Sequence, residues 1–204
     1  MKKLMILTVA ASLLGLAGTA AATQLFDFNA QAVMPANVGE AAEVRGTIVN
    51  GNALDTPLPL DFDNYEYTIV ITGLTLISTG ADDIYSGGFI AIYEDDATAA
   101  DYADPASFAD GTAILSGEVT EFRHAVLIGS IGNGQGYVDW TGGSRLNDLA
   151  LEDQIGWPLL TSTNSSTAYV EPGYTTLWDG KVEPGADVVS VQESSLSGVK
   201  ALYR

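Results

Sequence analysis

The chain contains no cysteine and one histidine, His124. Without thiols it forms no disulfide, carries no lipid-modified cysteine and has no thiolate nucleophile. Zinc takes three or four nitrogen or sulfur ligands, so a lone histidine leaves no ordinary zinc site. Positive charge is scarce as well. Eight Lys and Arg stand against 26 Asp and Glu, a formal net charge of −18. Proteins grip polyanions with Lys and Arg that displace counterions, so this balance argues against nucleic acid and against anionic lipid surfaces. Excess carboxylate suits solubility outside the cell, and it leaves oxygen-ligated calcium open as a cofactor.

Long apolar runs are missing except at the N-terminus. Lys2 and Lys3 precede an uncharged stretch from Leu4 to Gly18, and small residues follow at Ala20-x-Ala22. That order is a secretory signal peptide, with cleavage expected before Thr23. The stretch is shorter than the roughly 20 residues of a spanning helix. The expected organisation is a signal peptide over 1–22 and one domain over 23–204, exported to the periplasm or beyond, with no membrane span after cleavage. A chain of that length buries about 70% of its unfolded surface, enough for a core without staples.

Helical periodicity is rare, whereas 22 glycines and seven prolines punctuate the chain. In YEYTIVI (65–71) Tyr65, Tyr67, Ile69 and Ile71 share one face. GFIAIYE (88–94) has the aromatic and β-branched content of a more fully buried strand. Further strands are predicted at 24–30, 43–49, 74–78, 112–119, 124–130, 136–140, 175–180, 188–192 and 197–203. Turn signals lie between them at Asn50-Gly51, Thr72-Gly73, Ser86-Gly87-Gly88, Asp110-Gly111, Asn133-Gly134, Gly142-Gly143 and Asp179-Gly180. This pattern predicts an all-β, single-domain antiparallel sandwich of jelly-roll type. Residues 97–110 read as a loop with one helical turn, and 145–156 as one short helix stopped at Gly156. A lipid-facing barrel fits less well, since its strands run about ten residues with apolar side chains outward.

Chemistry is thinly signalled. No G-x-S-x-G elbow accompanies His124, so nucleophilic catalysis has no framework and no catalytic residue is assigned. The acidic stretch around Asp95, Asp96 and Asp101 is the candidate calcium site, with Asp61 and Asp63 a second acidic pair, although neither follows the EF-hand spacing. Trp157 and Trp178 lie near predicted loops and are the candidate sugar-stacking pair; filling the core is the other fate of such rings. Paired carboxylates of a glycoside hydrolase carry no information in a chain this acidic. GNGQG (132–136) lacks the following helix and basic residue of a phosphate cradle.

SGGFIAIYEDD (86–96), DPASFADGTAILSGEV (104–119) and SGVKALYR (197–204) together resemble exported bacterial β-rich proteins of unassigned function. Many of that group carry a short sorting tail of the PEP-CTERM type. The sequence departs from them in lacking the Pro-Glu-Pro motif, the apolar helix and the basic end. The resemblance implies a cell-surface or matrix setting and transfers no catalytic residue. The leading expectation is therefore a non-enzymatic secreted protein that contacts surface or matrix components. A calcium-assisted carbohydrate-binding module is the alternative, and a secreted glycoside hydrolase the third.

Overall fold

The computed structural model describes residues 25–49 and 56–183. The expected signal peptide and the strands at 188–192 and 197–203 lie outside the described residues. Nine strands are present: β1 (Phe26–Val33), β2 (Ala41–Val49), β3 (Glu66–Ser78), β4 (Asp83–Ser86), β5 (Phe89–Asp95), β6 (Thr112–Ile128), β7 (Ile131–Gly142), β8 (Trp157–Asn164) and β9 (Thr176–Val182). The described residues are all-β, as expected, and every pairing is antiparallel.

The jelly-roll sandwich is corrected. Except for β4 and β5, each strand pairs with its neighbour in sequence; β4 and β5 both pair with β3 and β6, and β1 pairs with β9, so the sheet closes on itself as an up-and-down barrel. Closure removes the two open edges that each sandwich sheet would retain. The ring has eight positions, because β4 and β5 are one strand interrupted at Gly87-Gly88. Both pair with β3 on a single register, from Thr75↔Ser86 to Thr72↔Phe89. They share one register with β6 as well, from Tyr85↔Phe122 to Phe89↔Glu118.

Several glycines read as turns lie within strands. Gly73 (φ +71°) continues β3, joining the stretches expected at 65–71 and 74–78. Gly134 and Gly180 face the interior, where a Cβ on either would run into the rings of Phe122 and Phe28 respectively. Bare backbone at these points makes room for aromatic rings crossing the barrel. Phe122 stacks on Trp178 at 5.1 Å, and Tyr85 meets Phe122 edge-on at 5.7 Å. Phe28, Tyr67, Ile69, Leu115 and Trp140 complete a filled interior. The indole N–H groups of Trp140 and Trp178 are buried there without an acceptor, a desolvation cost of the apolar filling.

No α-helix occurs among the described residues. The helix expected at 145–156 is two 3₁₀ turns, Leu146–Asp148 and Leu151–Gln154. Neither has a side-chain N-cap, and Ile155 is exposed rather than on a buried stripe. The expected turn in 97–110 is a 3₁₀ turn at Pro105–Phe108, whose cap residue Asp104 accepts from the Ala106 N–H.

Side chains alternate across a strand, so the residues between the inward ones face outward. Part of that outer surface is coated. The Pro105–Phe108 turn lies on β2 and β3, where Thr68 Oγ1 donates to the Phe108 carbonyl at 2.7 Å. Phe108 and the outward residues Thr68 and Val70 are buried. The β8–β9 loop covers β1 in the same way: Gln31 Nε2 donates to the Tyr169 carbonyl, and the Glu171 N–H donates to Gln31 Oε1. Tyr102 links the two loops through an edge contact with Tyr174 at 5.4 Å. The wall of β7, β8 and β9 has no such coat over Asn133, Gln135, Ser162 and Asp179, all exposed. Polar side chains outward and apolar ones inward is the reverse of a lipid-facing barrel.

Candidate functional site

The residues singled out by sequence occupy structural roles. Trp178 is fully buried and Trp157 is 3% exposed, so neither ring presents a face to an external ligand. Their neighbourhood of loop-like residues was misleading: WPLLTSTN (157–164) is strand β8, and Trp178 is an inward residue of β9. The expectation of an exposed stacking pair is corrected, because closing the barrel turns both rings inward.

The acidic candidates do not converge. Asp95 accepts from the Thr98 and Ala97 amides at 2.8 and 3.1 Å, and these bonds hold its carboxyl below the usual range. Asp101 accepts from the Ala103 amide at 2.8 Å, while Asp96 is exposed. Asp61 likewise caps its own turn, accepting from the Asp63 amide and from Asn64 Nδ2. Short carboxylates that satisfy local amides are turn formers. Among the described residues, no group of three or more acidic, His or Cys side chains is placed to hold a metal ion.

His124 faces the interior from β6, with Nε2 at 2.9 Å from Thr163 Oγ1 on β8. Burial lowers its pKa against the opposing pull of Asp83. Tyr67 is similarly fixed. Its hydroxyl donates to Glu94 at 2.8 Å and accepts from the Asp61 amide at 3.0 Å, and burial pushes it up to about 12.

Two surfaces remain that sequence reasoning missed. The first is a trough of about 500 Å³ on the uncoated wall. Asp27 and Asn29 of β1, Asn133 and Gln135 of β7, Ser162 of β8 and Asp179 of β9 line it, with Leu160 on its floor side. Asn133, Gln135 and Asp179 alternate with the inward glycines of GNGQG and LWDGK, so the outward half of each stretch supplies polar groups, and β1 adds Asp27 and Asn29. Ser162 Oγ donates to the Asp179 carbonyl at 3.2 Å, and Lys181 at one margin pairs with Glu183 at 2.8 Å. The donors and acceptors sit in open solvent along a shallow groove. That arrangement suits hydrogen bonding to a hydrophilic chain rather than enclosure of a small molecule.

The second surface is apolar. At the end of the barrel formed by the β1–β2, β3–β4, β6–β7 and β8–β9 connections, Val38, Ile77, Val126, Leu127, Ile128 and Ile131 are exposed. No family model, no curated protein and no solved structure matches this chain.

Proposed function

We propose that the chain is a non-enzymatic exported protein of the cell surface or extracellular matrix, working through the outside of a filled barrel. The observation that carries this reading is the contrast between interior and exterior. The interior is occupied by Phe28, Tyr67, Phe122, Trp140 and Trp178, whereas the concave polar surface lies on the outer wall. Barrels that hold small ligands keep an internal chamber, which these rings fill.

The carbohydrate-binding reading shifts from the two tryptophans to the trough. Side-chain amides, a serine hydroxyl and carboxylates, with Tyr137 (39% exposed) further along β7, provide the hydrogen-bonding groups a neutral polysaccharide takes. Affinity electrophoresis through gels containing neutral polysaccharides tests it. Retardation is expected for the wild type and is lost in the Asn133→Ala, Gln135→Ala, Asp179→Ala triple variant. Release of reducing sugar by the purified protein would contradict the non-enzymatic reading, and retardation unchanged in the triple variant would remove the trough.

A further inference from the structure

The uncoated wall holds its polar side chains in line. Asn29 of β1 lies opposite Asp179 of β9, Asp179 opposite Ser162 of β8, and Ser162 opposite Asn133 of β7. All four are exposed, so they form one outward row that crosses four strands. Neighbouring strands lie about 4.8 Å apart, which makes the row roughly 14 Å long and sets it across the strands rather than along one. Gln135 and Leu160 lie opposite each other in the next row.

The row differs from the acidic turns in what its side chains bond to. Asp61, Asp95 and Asp101 accept from amides of their own turns. Among the described residues, the side chains of Asn29, Asn133, Gln135 and Asp179 have no hydrogen-bonding or ionic partner. The order of donors and acceptors along the row is also defined. A carboxylate such as that of Asp179 only accepts. The Ser162 hydroxyl directs its proton to the Asp179 carbonyl at 3.2 Å, so its lone pairs accept as well. The middle of the row is therefore all acceptor, and the amides of Asn29 and Asn133 at its ends both donate and accept. Lys181, the cation at the margin, is held by Glu183 at 2.8 Å and lies opposite Asp27.

A ligand that fits the middle of the row must bring donors and no negative charge. An acetamido carbonyl or a uronate carboxylate sets acceptor against acceptor there. Two hydroxyls on adjacent carbons instead donate together to the two oxygens of one carboxylate, and hydrogen bonds to an ionised acceptor are the stronger kind. Resting on the reading of the trough as a glycan site, we infer that it selects neutral polysaccharides whose sugars keep a vicinal diol. The polymer lies across the strands, with a diol on Asp179 and the hydroxyls of neighbouring sugars on Asn29 and Asn133. Glucans joined through O4 keep such a diol on every sugar. Glucans joined through O3 keep one only at the chain ends, and they are discriminated against together with acidic and N-acetylated polymers.

Calorimetric titration with two β-linked glucose hexasaccharides, one joined through O4 and one through O3, tests the selection, with an oligouronate of the same length as a third ligand. The O4-joined hexasaccharide is expected to bind at least about tenfold more tightly than either of the others. Asp179→Asn keeps the shape of the side chain but replaces one acceptor oxygen with a donor. It is expected to weaken the O4-joined ligand by about tenfold or more, with an unchanged melting midpoint because the position is exposed. Equal or tighter binding of the O3-joined ligand or the oligouronate, or wild-type affinity in Asp179→Asn, overturns the diol selection and leaves the trough as a glycan site. Failure to bind the O4-joined hexasaccharide overturns it too. If gels of neutral polysaccharide also fail to retard the protein, the glycan reading falls with it.

Discussion

The β2–β3 wall and the β7–β8–β9 wall are built alike and enclose the same core, but their outer faces differ. On the first, Thr68 is held against the Pro105–Phe108 turn, Val70 beside it is buried as well, and Phe108 is wholly covered. On the second, Asn133, Gln135, Ser162 and Asp179 remain exposed beside a trough. A coated wall is a second small core and contributes stability. An uncoated wall of hydrogen-bonding side chains contributes little to folding and remains available to a partner. The contrast teaches that opposite sides of one barrel differ in what covers them, and the proposed function assigns contact to the uncoated side.

Substitutions sharpen that division. The largest effect is expected for Trp178→Ala, which empties the space beneath Phe122 and costs about 3–5 kcal/mol in urea unfolding. Phe108→Ala is expected to cost about 3 kcal/mol, although Phe108 lies outside the barrel. A loss below about 0.5 kcal/mol would show that the coat is not a core. Gly134→Ala comes next, at about 1–3 kcal/mol, because the added methyl meets Phe122. Asn133→Ala and Gln135→Ala are expected to stay within about 0.5 kcal/mol of wild type, which separates binding loss from unfolding.

A smaller effect depends on pH. Burial holds the His124 imidazole below its usual 6.5. The unfolded chain therefore takes up this proton first as pH falls below 6.5, and stability declines from there until the lowered native value is reached. Melting midpoints at about pH 7.5 and 5.5 should differ less in His124→Gln than in wild type. An equal difference in both would place the pH response in other groups.

Much of the fold was legible from alternation. YEYTIVI, GFIAIYE and EVRGTIV are strands where expected, and the run IVI (69–71), apolar on consecutive positions, marks the wall that is buried on both sides. The topology was less legible, because glycine has two uses that composition does not separate. Asn133-Gly134 and Asp179-Gly180 carry the signature of hairpin turns, but they lie mid-strand and make room for Phe122 and Phe28. The actual β6–β7 turn is Gly129-Ser130. Pro158 and the flanking tryptophan concealed β8, whose proline faces outward in the sheet. The candidate sites were misread for a related reason. Sequence proximity to glycine and proline suggested exposure for Trp157 and Trp178, whereas the closing strand pairs determine it. The apolar run VLI (126–128) reads like a buried strand, whereas it is exposed where the β4–β6 pairing ends at Asp83↔His124.

Native-state hydrogen exchange across the β1–β9 seam addresses closure most directly, since that pairing joins the two ends of the meander. The account predicts that seam amides in β1 and β9 are protected as strongly as those in β7. Exchange at the rate of an unpaired edge, with protection confined to β2 through β8, would contradict a closed barrel and the division of labour built on it.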